Sequence, residues 1–222
     1  MENLLISVKE IINKRRRGAE YREFIEKHCD IDAISRYKII GGSCVEGFYE
    51  KLKDEVFVLK LTSKTDRENH GIIYVGNGGC PDLLNLAGKA IPPCVNPLKG
   101  IFEYSDEAGI RNPGSPHSNQ MTPYNRELYV LATLCHLVLK LEHKPGLPVD
   151  DCLAEVVKQK SEDLPDFWAK SLNYTLARLS ASVDVINERL MMLDKDAKTY
   201  SFPEMRKRLT ERYGYLPEQI FV

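Results

Sequence analysis

Thr122-Pro123 opens the one stretch of this chain whose placement leaves little choice. Threonine accepts a hydrogen bond from the free amides of a helix's first turn, and proline suits the first helical position. From there to His143 the residues are mostly apolar, with Leu128, Val130, Leu131, Leu134, Cys135, Leu137, Val138, Leu139 and Leu141 spread around the helix. So little polar circumference argues for cover on most sides. The spacing therefore predicts a central buried helix over residues 123–143, stopped by Lys144-Pro145-Gly146.

Other amphipathic segments supply that cover. Leu4, Leu5, Val8, Ile11 and Ile12 recur at helical spacing and run into Lys14-Arg15-Arg16-Arg17-Gly18, basic residues and a glycine that suit a helix C-terminus. Further helices are predicted over residues 20–28, around Leu83 to Ala87, around Leu98 to Ala108, and over residues 203–213 ahead of Gly214. Asp150 or Asp151 caps another that runs to residue 160. Trp168, Leu172, Leu176, Leu179, Val183, Ile186 and Leu190 predict one long packing helix, whose regular seam fits either an intramolecular bundle or a coiled-coil dimer. Only residues 55–61 and 71–75 read as strands, being short, β-branched and bounded by turn formers. The expected fold is mainly α: a helical bundle around a central buried helix, with a small inserted β-ribbon. Residues 1–80 would carry the N-terminal helices and the ribbon, and residues 81–222 the bundle, as two parts or as one continuous domain.

Composition narrows the function classes. With 31 Lys+Arg against 32 Asp+Glu over 222 residues, the chain has no global basic field for duplex nucleic acid, so any such site must be local. No apolar run approaches the roughly 20 residues needed to cross a bilayer, and the acid at Glu2 precedes the apolar stretch, with the basic run after it, the reverse of a secretory signal. A cytoplasmic protein with no membrane partner is expected. Six cysteines lie at 29, 44, 80, 94, 135 and 152 without a Cys-x-x-Cys pair, which predicts free buried thiols and neither a zinc site nor another metal. Gly76-Asn77-Gly78-Gly79, after a strand and before Pro81, has the local grammar of a phosphate-cradling loop or of a tight turn needing positive φ.

Chemistry concentrates in Gly109-Ile110-Arg111-Asn112-Pro113-Gly114-Ser115-Pro116-His117, a polar, turn-rich segment just before the buried helix. It offers a permanent guanidinium, a carboxamide, and an imidazole whose ordinary pKa of about 6.5 allows proton transfer near neutral pH. These groups suit phosphodiester cleavage in RNA without a metal or other cofactor: the imidazole moves protons and the guanidinium holds the phosphate as charge develops. A cap at a helix end for Arg111 and Asn112, with His117 in a surface loop, is the structural alternative.

An Arg-polar…His segment followed by a long apolar helix resembles the HEPN superfamily, helical bundles that include metal-independent ribonucleases of toxin, abortive-infection and CRISPR systems. Residues 126–142 are also similar to the C-terminal domain of abortive-infection proteins. The resemblance covers about residues 81–143, and Arg111, Asn112 and His117 match its motif. It implies a hydrolase of antiviral-defence or toxin type, cutting RNA in the cytoplasm as a homodimer whose two motifs face one groove, with an antitoxin or regulatory partner. Pro113 and Pro116 depart from the helical continuation of that motif.

Lys14, Arg15, Arg16 and Arg17 are candidate RNA-binding residues, and Tyr124 a candidate base-stacking ring, although a solvated helix end and a packed tyrosine explain them equally. His136 reads as a core or groove histidine; His28, His70 and His143 read as exposed. The competing class is a non-catalytic RNA-binding or self-assembling helical protein, nucleoprotein-like or regulatory, using the same basic run with Arg206, Lys207, Arg208 and Arg212, or the seam from Trp168 to Leu190.

Overall fold

The computed structural model describes residues 7–14, 16–102, 121–144 and 146–222, which fall into two compact units, Met1–Cys94 and Val95–Val222.

The first unit is built on a sheet that the sequence only half announces. Strands β1 (Cys29–Lys38), β4 (Glu55–Ser63) and β5 (His70–Val75) pair antiparallel in the order β5-β4-β1. β4 is buried at every position but Lys60, and Val56, Phe57, Val58, Leu59 and Leu61 are sealed from solvent, so both faces of this strand are covered. In β1, Cys29, Ile31 and Ala33 point inward and alternate with half-buried Asp30 and Asp32. A bulge between Ala33 and Ser35 then re-aims the strand. Helix α1 (Val8–Lys14) lies against β5 and β4, burying Val8 and Ile11, while α2 (Ala19–His28) packs on α3 (Cys80–Leu86) and adds Ile25, Leu83 and Leu84. Between β1 and β4, β2 (Val45–Glu46) and β3 (Lys51–Leu52) form a two-residue ribbon around a turn in which Gly47 donates to the Glu50 carbonyl at 2.9 Å.

Among its described residues, the second unit is helical apart from β6 (Cys94–Asn96), which starts one residue before it, and β7 (Gly100–Phe102). Helix α4 (Pro123–Leu139) is its axis: twelve of its seventeen residues are buried, and α5 (Pro148–Lys158), α6 (Phe167–Arg178), α7 (Val183–Leu193) and α8 (Pro203–Tyr213) all pack against it. The Thr122 side chain accepts from Asn125 N at 3.1 Å, as the Thr-Pro start predicts. Asn125, fully buried, holds the chain after α5: its Nδ2 donates to the Gln159 and Glu162 carbonyls at 2.9 and 2.7 Å, and its Oδ1 accepts from Leu164 N at 2.9 Å.

Several expectations are corrected. The chain is an α/β mix and not a mainly-α bundle: residues 55–61 and 71–75 are not an inserted ribbon but lie in β4 and the neighbouring edge strand β5 of a sheet in which β1, on the other side of β4, has its period-2 pattern interrupted by the bulge. No helix runs through Leu98 to Phe102, because Pro97 and Gly100, the latter at φ 102, break it and β7 forms instead. The helix predicted from Trp168 to Leu190 is two, α6 and α7, parted where Ser180 turns left-handed at φ 49 and Ser182 caps α7 by accepting from Val185 N. No continuous seam for self-assembly survives that break. α4 stops four residues short of His143, at Lys140 in the left-handed region.

Candidate functional site

Arg111, Asn112 and His117 lie outside the described residues, in the connection from β7 to α4. Arg15 is likewise outside them. In the first unit, Lys14 and Arg16 are exposed, and Arg17 is engaged, its Nη2 donating to the Tyr49 carbonyl at 2.8 Å and to Glu50 Oε2 at 3.2 Å. In the second unit, Tyr124 is 1% exposed, with Arg208 stacked over its ring at 3.7 Å and Arg208 itself held by Asp163 and Asp166, so the ring offers no open face to a base.

The glycine loop 76–79 does line a cleft, of about 160 Å³, together with Arg17, Arg22, Tyr49 and Glu50. Its residues do not use positive φ: Gly79 sits at φ −138 as the cap of α3, and Gly76 is small because a Cβ there would meet Leu52 Cδ2 at 2.9 Å. Both arginines of the cleft are paired with acids, Arg17 with Glu50 and Arg22 with Asp82 at 3.1 Å, which neutralises the charge a phosphate would need.

The side chains that the fold does converge are His136, His143 and Asp150 of the second unit. Their placement follows from how α4 ends. Lys140 turns left-handed, Leu141 N reaches back to the Cys135 carbonyl, and the Leu141 carbonyl comes over the His136 ring, 2.7 Å from Nδ1. Gly146 at φ 78 and Pro148 at the start of α5 turn the chain again. Asp150 thereby lies in the first turn of α5, a helix end that favours a carboxylate, but it does not cap that helix as predicted. Its Oδ2 accepts instead from Lys144 N at 2.8 Å, and its Oδ1 accepts from His143 Nδ1.

His136 Nε2 lies 3.2 Å from the same Oδ1, off the line of a hydrogen bond. The two imidazoles stack with centroids 3.5 Å apart at 14°, and each of the three side chains is only 2–3% exposed. Burial, and the neighbouring His136 ring after it, hold His143 below the ordinary histidine value in spite of Asp150. For Asp150, burial alone pushes the carboxyl upward, but the close His136 and His143 imidazoles outweigh it and hold the group at about 2, so it is ionised at neutral pH. Among the described residues this is the cluster whose ligand atoms, all within 4.8 Å of one another, could hold a metal ion. His143, expected to be exposed, is therefore a correction. The signal available in the sequence was the even spacing of seven residues from His136 to His143 and seven more to Asp150; such a spacing shares a face only in a continuous helix, and here two turns separate the three.

Comparison of the chain with protein-family models, curated proteins and solved structures finds no match. Among the described residues, no helix is long and apolar enough to cross a membrane.

Proposed function

We propose that the chain is a metal-independent ribonuclease in which Arg111, Asn112 and His117 act on RNA. The observation that supports this reading is the element these residues lead into. α4 is the buried axis of the helical unit, its start is fixed by the Thr122 cap and by Asn125, and in the sequence the three residues stand just ahead of that start, as the resemblance requires.

In the proposed step, His117 takes the proton of a ribose 2′-hydroxyl. The oxygen attacks the adjacent phosphorus, and the bond to the 5′-oxygen breaks with that oxygen taking the proton His117 had accepted, leaving a 2′,3′-cyclic phosphate and a 5′-hydroxyl. Arg111 holds the charge that builds on the non-bridging oxygens, and Asn112 orients the phosphate. RNA is then the substrate partner, a homodimer places two such motifs in one groove, and an antitoxin or regulatory protein restrains the activity in the cytoplasm. Exposed Lys14 and Arg16, rather than Tyr124, remain to hold the backbone of the RNA. Cleavage by the wild type compared with His117→Ala tests the reading.

A further inference from the structure

His136, His143 and Asp150 are more than a buried hydrogen-bonded knot. A carbonyl oxygen only accepts, so the 2.7 Å contact with Leu141 fixes the proton on His136 Nδ1. In the neutral ring, Nε2 is then a bare lone pair, and it faces a carboxylate oxygen 3.2 Å away that also has only lone pairs to offer. Asp150 Oδ1 accepts the His143 N–H, but nothing among the described residues meets the His136 Nε2 lone pair, and two acceptors so placed and 2–3% exposed repel each other unless a positive charge lies between them. A proton on Nε2 meets this need poorly, because Nε2 and Oδ1 are not aligned for a hydrogen bond. A metal ion needs no such line, since it draws both lone pairs toward one centre.

The dimensions agree. Tetrahedral coordination with bonds of roughly 2.0–2.2 Å to nitrogen and oxygen sets ligand atoms about 3.3–3.6 Å apart. The separation of His136 Nε2 and Asp150 Oδ1 is close to that edge, and all three ligand atoms lie within 4.8 Å. The supporting bonds are of the kind that ligands require: the second ring nitrogen of His136 donates to a backbone carbonyl, and Asp150 Oδ2 accepts from the Lys144 amide. Both bonds fix the ligands from outside, and the proton that His143 Nδ1 now gives to Asp150 Oδ1 is the one an incoming ion displaces.

We propose that His136, His143 and Asp150 form a binding site for one divalent transition-metal ion of the Zn2+ class, which clips the end of α4 to the start of α5. Two imidazoles and one carboxylate suit borderline ions such as Zn2+ and Co2+ better than Ca2+ or Mg2+, which favour all-oxygen ligands. Three protein ligands leave one position for water. This site departs from the expectation of a chain without metal, and it is separate from the residues assigned to RNA.

The test uses the full chain, stripped by chelator and titrated with Co2+ and then Zn2+. The expected result is one equivalent of Co2+ with visible absorption of a low-coordinate ion, displacement of that absorption by one equivalent of Zn2+, and a rise in the thermal midpoint with Zn2+. Asp150→Asn and His136→Gln should each weaken binding by more than the roughly 10–100-fold that loss of an outer partner brings. Cys44→Ala, which removes the exposed thiol as a rival ligand, should change nothing. Absence of stoichiometric binding in the wild type overturns the proposal without recourse to any variant, as does binding that survives Asp150→Asn or vanishes with Cys44→Ala. RNA cleavage is no part of the readout, so this proposal and the ribonuclease reading can fail independently.

Discussion

The Arg36 guanidinium and the Glu55 carboxylate meet between adjacent strands of the first unit, Nε to Oε1 at 2.5 Å, with side chains 2% and 1% exposed. Lys38 reaches Glu55 Oε2 at 2.9 Å from the rim, and Phe57 lies under the guanidinium at 5.1 Å. An ion pair sealed in this way is costly to break, because the surviving charge stays buried.

Glu55→Ala is therefore expected to destabilise the first unit by about 3–5 kcal/mol, the range for removing one partner of a buried pair. Asp54→Ala, which removes only an exposed partner of Lys38, should change stability by about 1 kcal/mol or less. Urea unfolding of the two variants checks the contrast, and equal effects would contradict it.

Asn125 fastens residues 159–164 to the first turn of α4. Asn125→Ala strands the buried Leu164 amide and should cost about 1–3 kcal/mol for that group alone. Faster hydrogen exchange at Leu164 than at amides within α6 would locate the loss.

Glu127 caps α8 from outside that helix, its two oxygens accepting from Glu204 N at 3.1 Å and Met205 N at 2.9 Å. Burial raises its carboxyl above the ordinary 4.5, although the backbone bonds oppose the rise. As pH falls from neutral toward 4.5, the folded chain thus takes up a proton that the unfolded chain does not, and this group's contribution moves in favour of folding. The unfolding free energy of the wild type minus that of Glu127→Gln should grow over that interval; a difference that shrinks would contradict the sign.

Five of the six cysteines are buried and Cys44 is exposed. Burial pushes the Cys29 thiol up to about 11 and the Cys135 thiol up to about 12, so neither forms thiolate at neutral pH. One thiol per native chain should react rapidly with a disulfide reagent, and six after denaturation. Cys44→Ala should abolish the rapid reaction, and its persistence would contradict the burial.

The parts of this structure legible in the sequence are those that local chemistry fixes. The Thr122 cap, the Pro123 start, and the last helix with its glycine stop are set by a few neighbouring residues, and α4 and α8 form there. What was not legible depends on chain reversals. Ser180 is an ordinary residue in a left-handed conformation, so no glycine marks the break between α6 and α7. β1 hides behind a bulge that interrupts its alternation, and with it goes the sheet that turns a bundle into an α/β mix. The His136, His143 and Asp150 cluster depends on Lys140 and Gly146 both turning left-handed, so the three residues meet across chain reversals and not along one helix.

The central claim is that Arg111 and His117 cut RNA without a metal. Its most direct test is end-group analysis of a labelled RNA incubated with the full chain in excess chelator, beside His117→Ala. The wild type is expected to give products ending in 2′,3′-cyclic phosphate and 5′-hydroxyl, the variant at least 100-fold fewer in line with the loss of a general acid–base group, and the two proteins equal thermal midpoints. Intact RNA, cutting that disappears in chelator, or equal cutting by His117→Ala would contradict it.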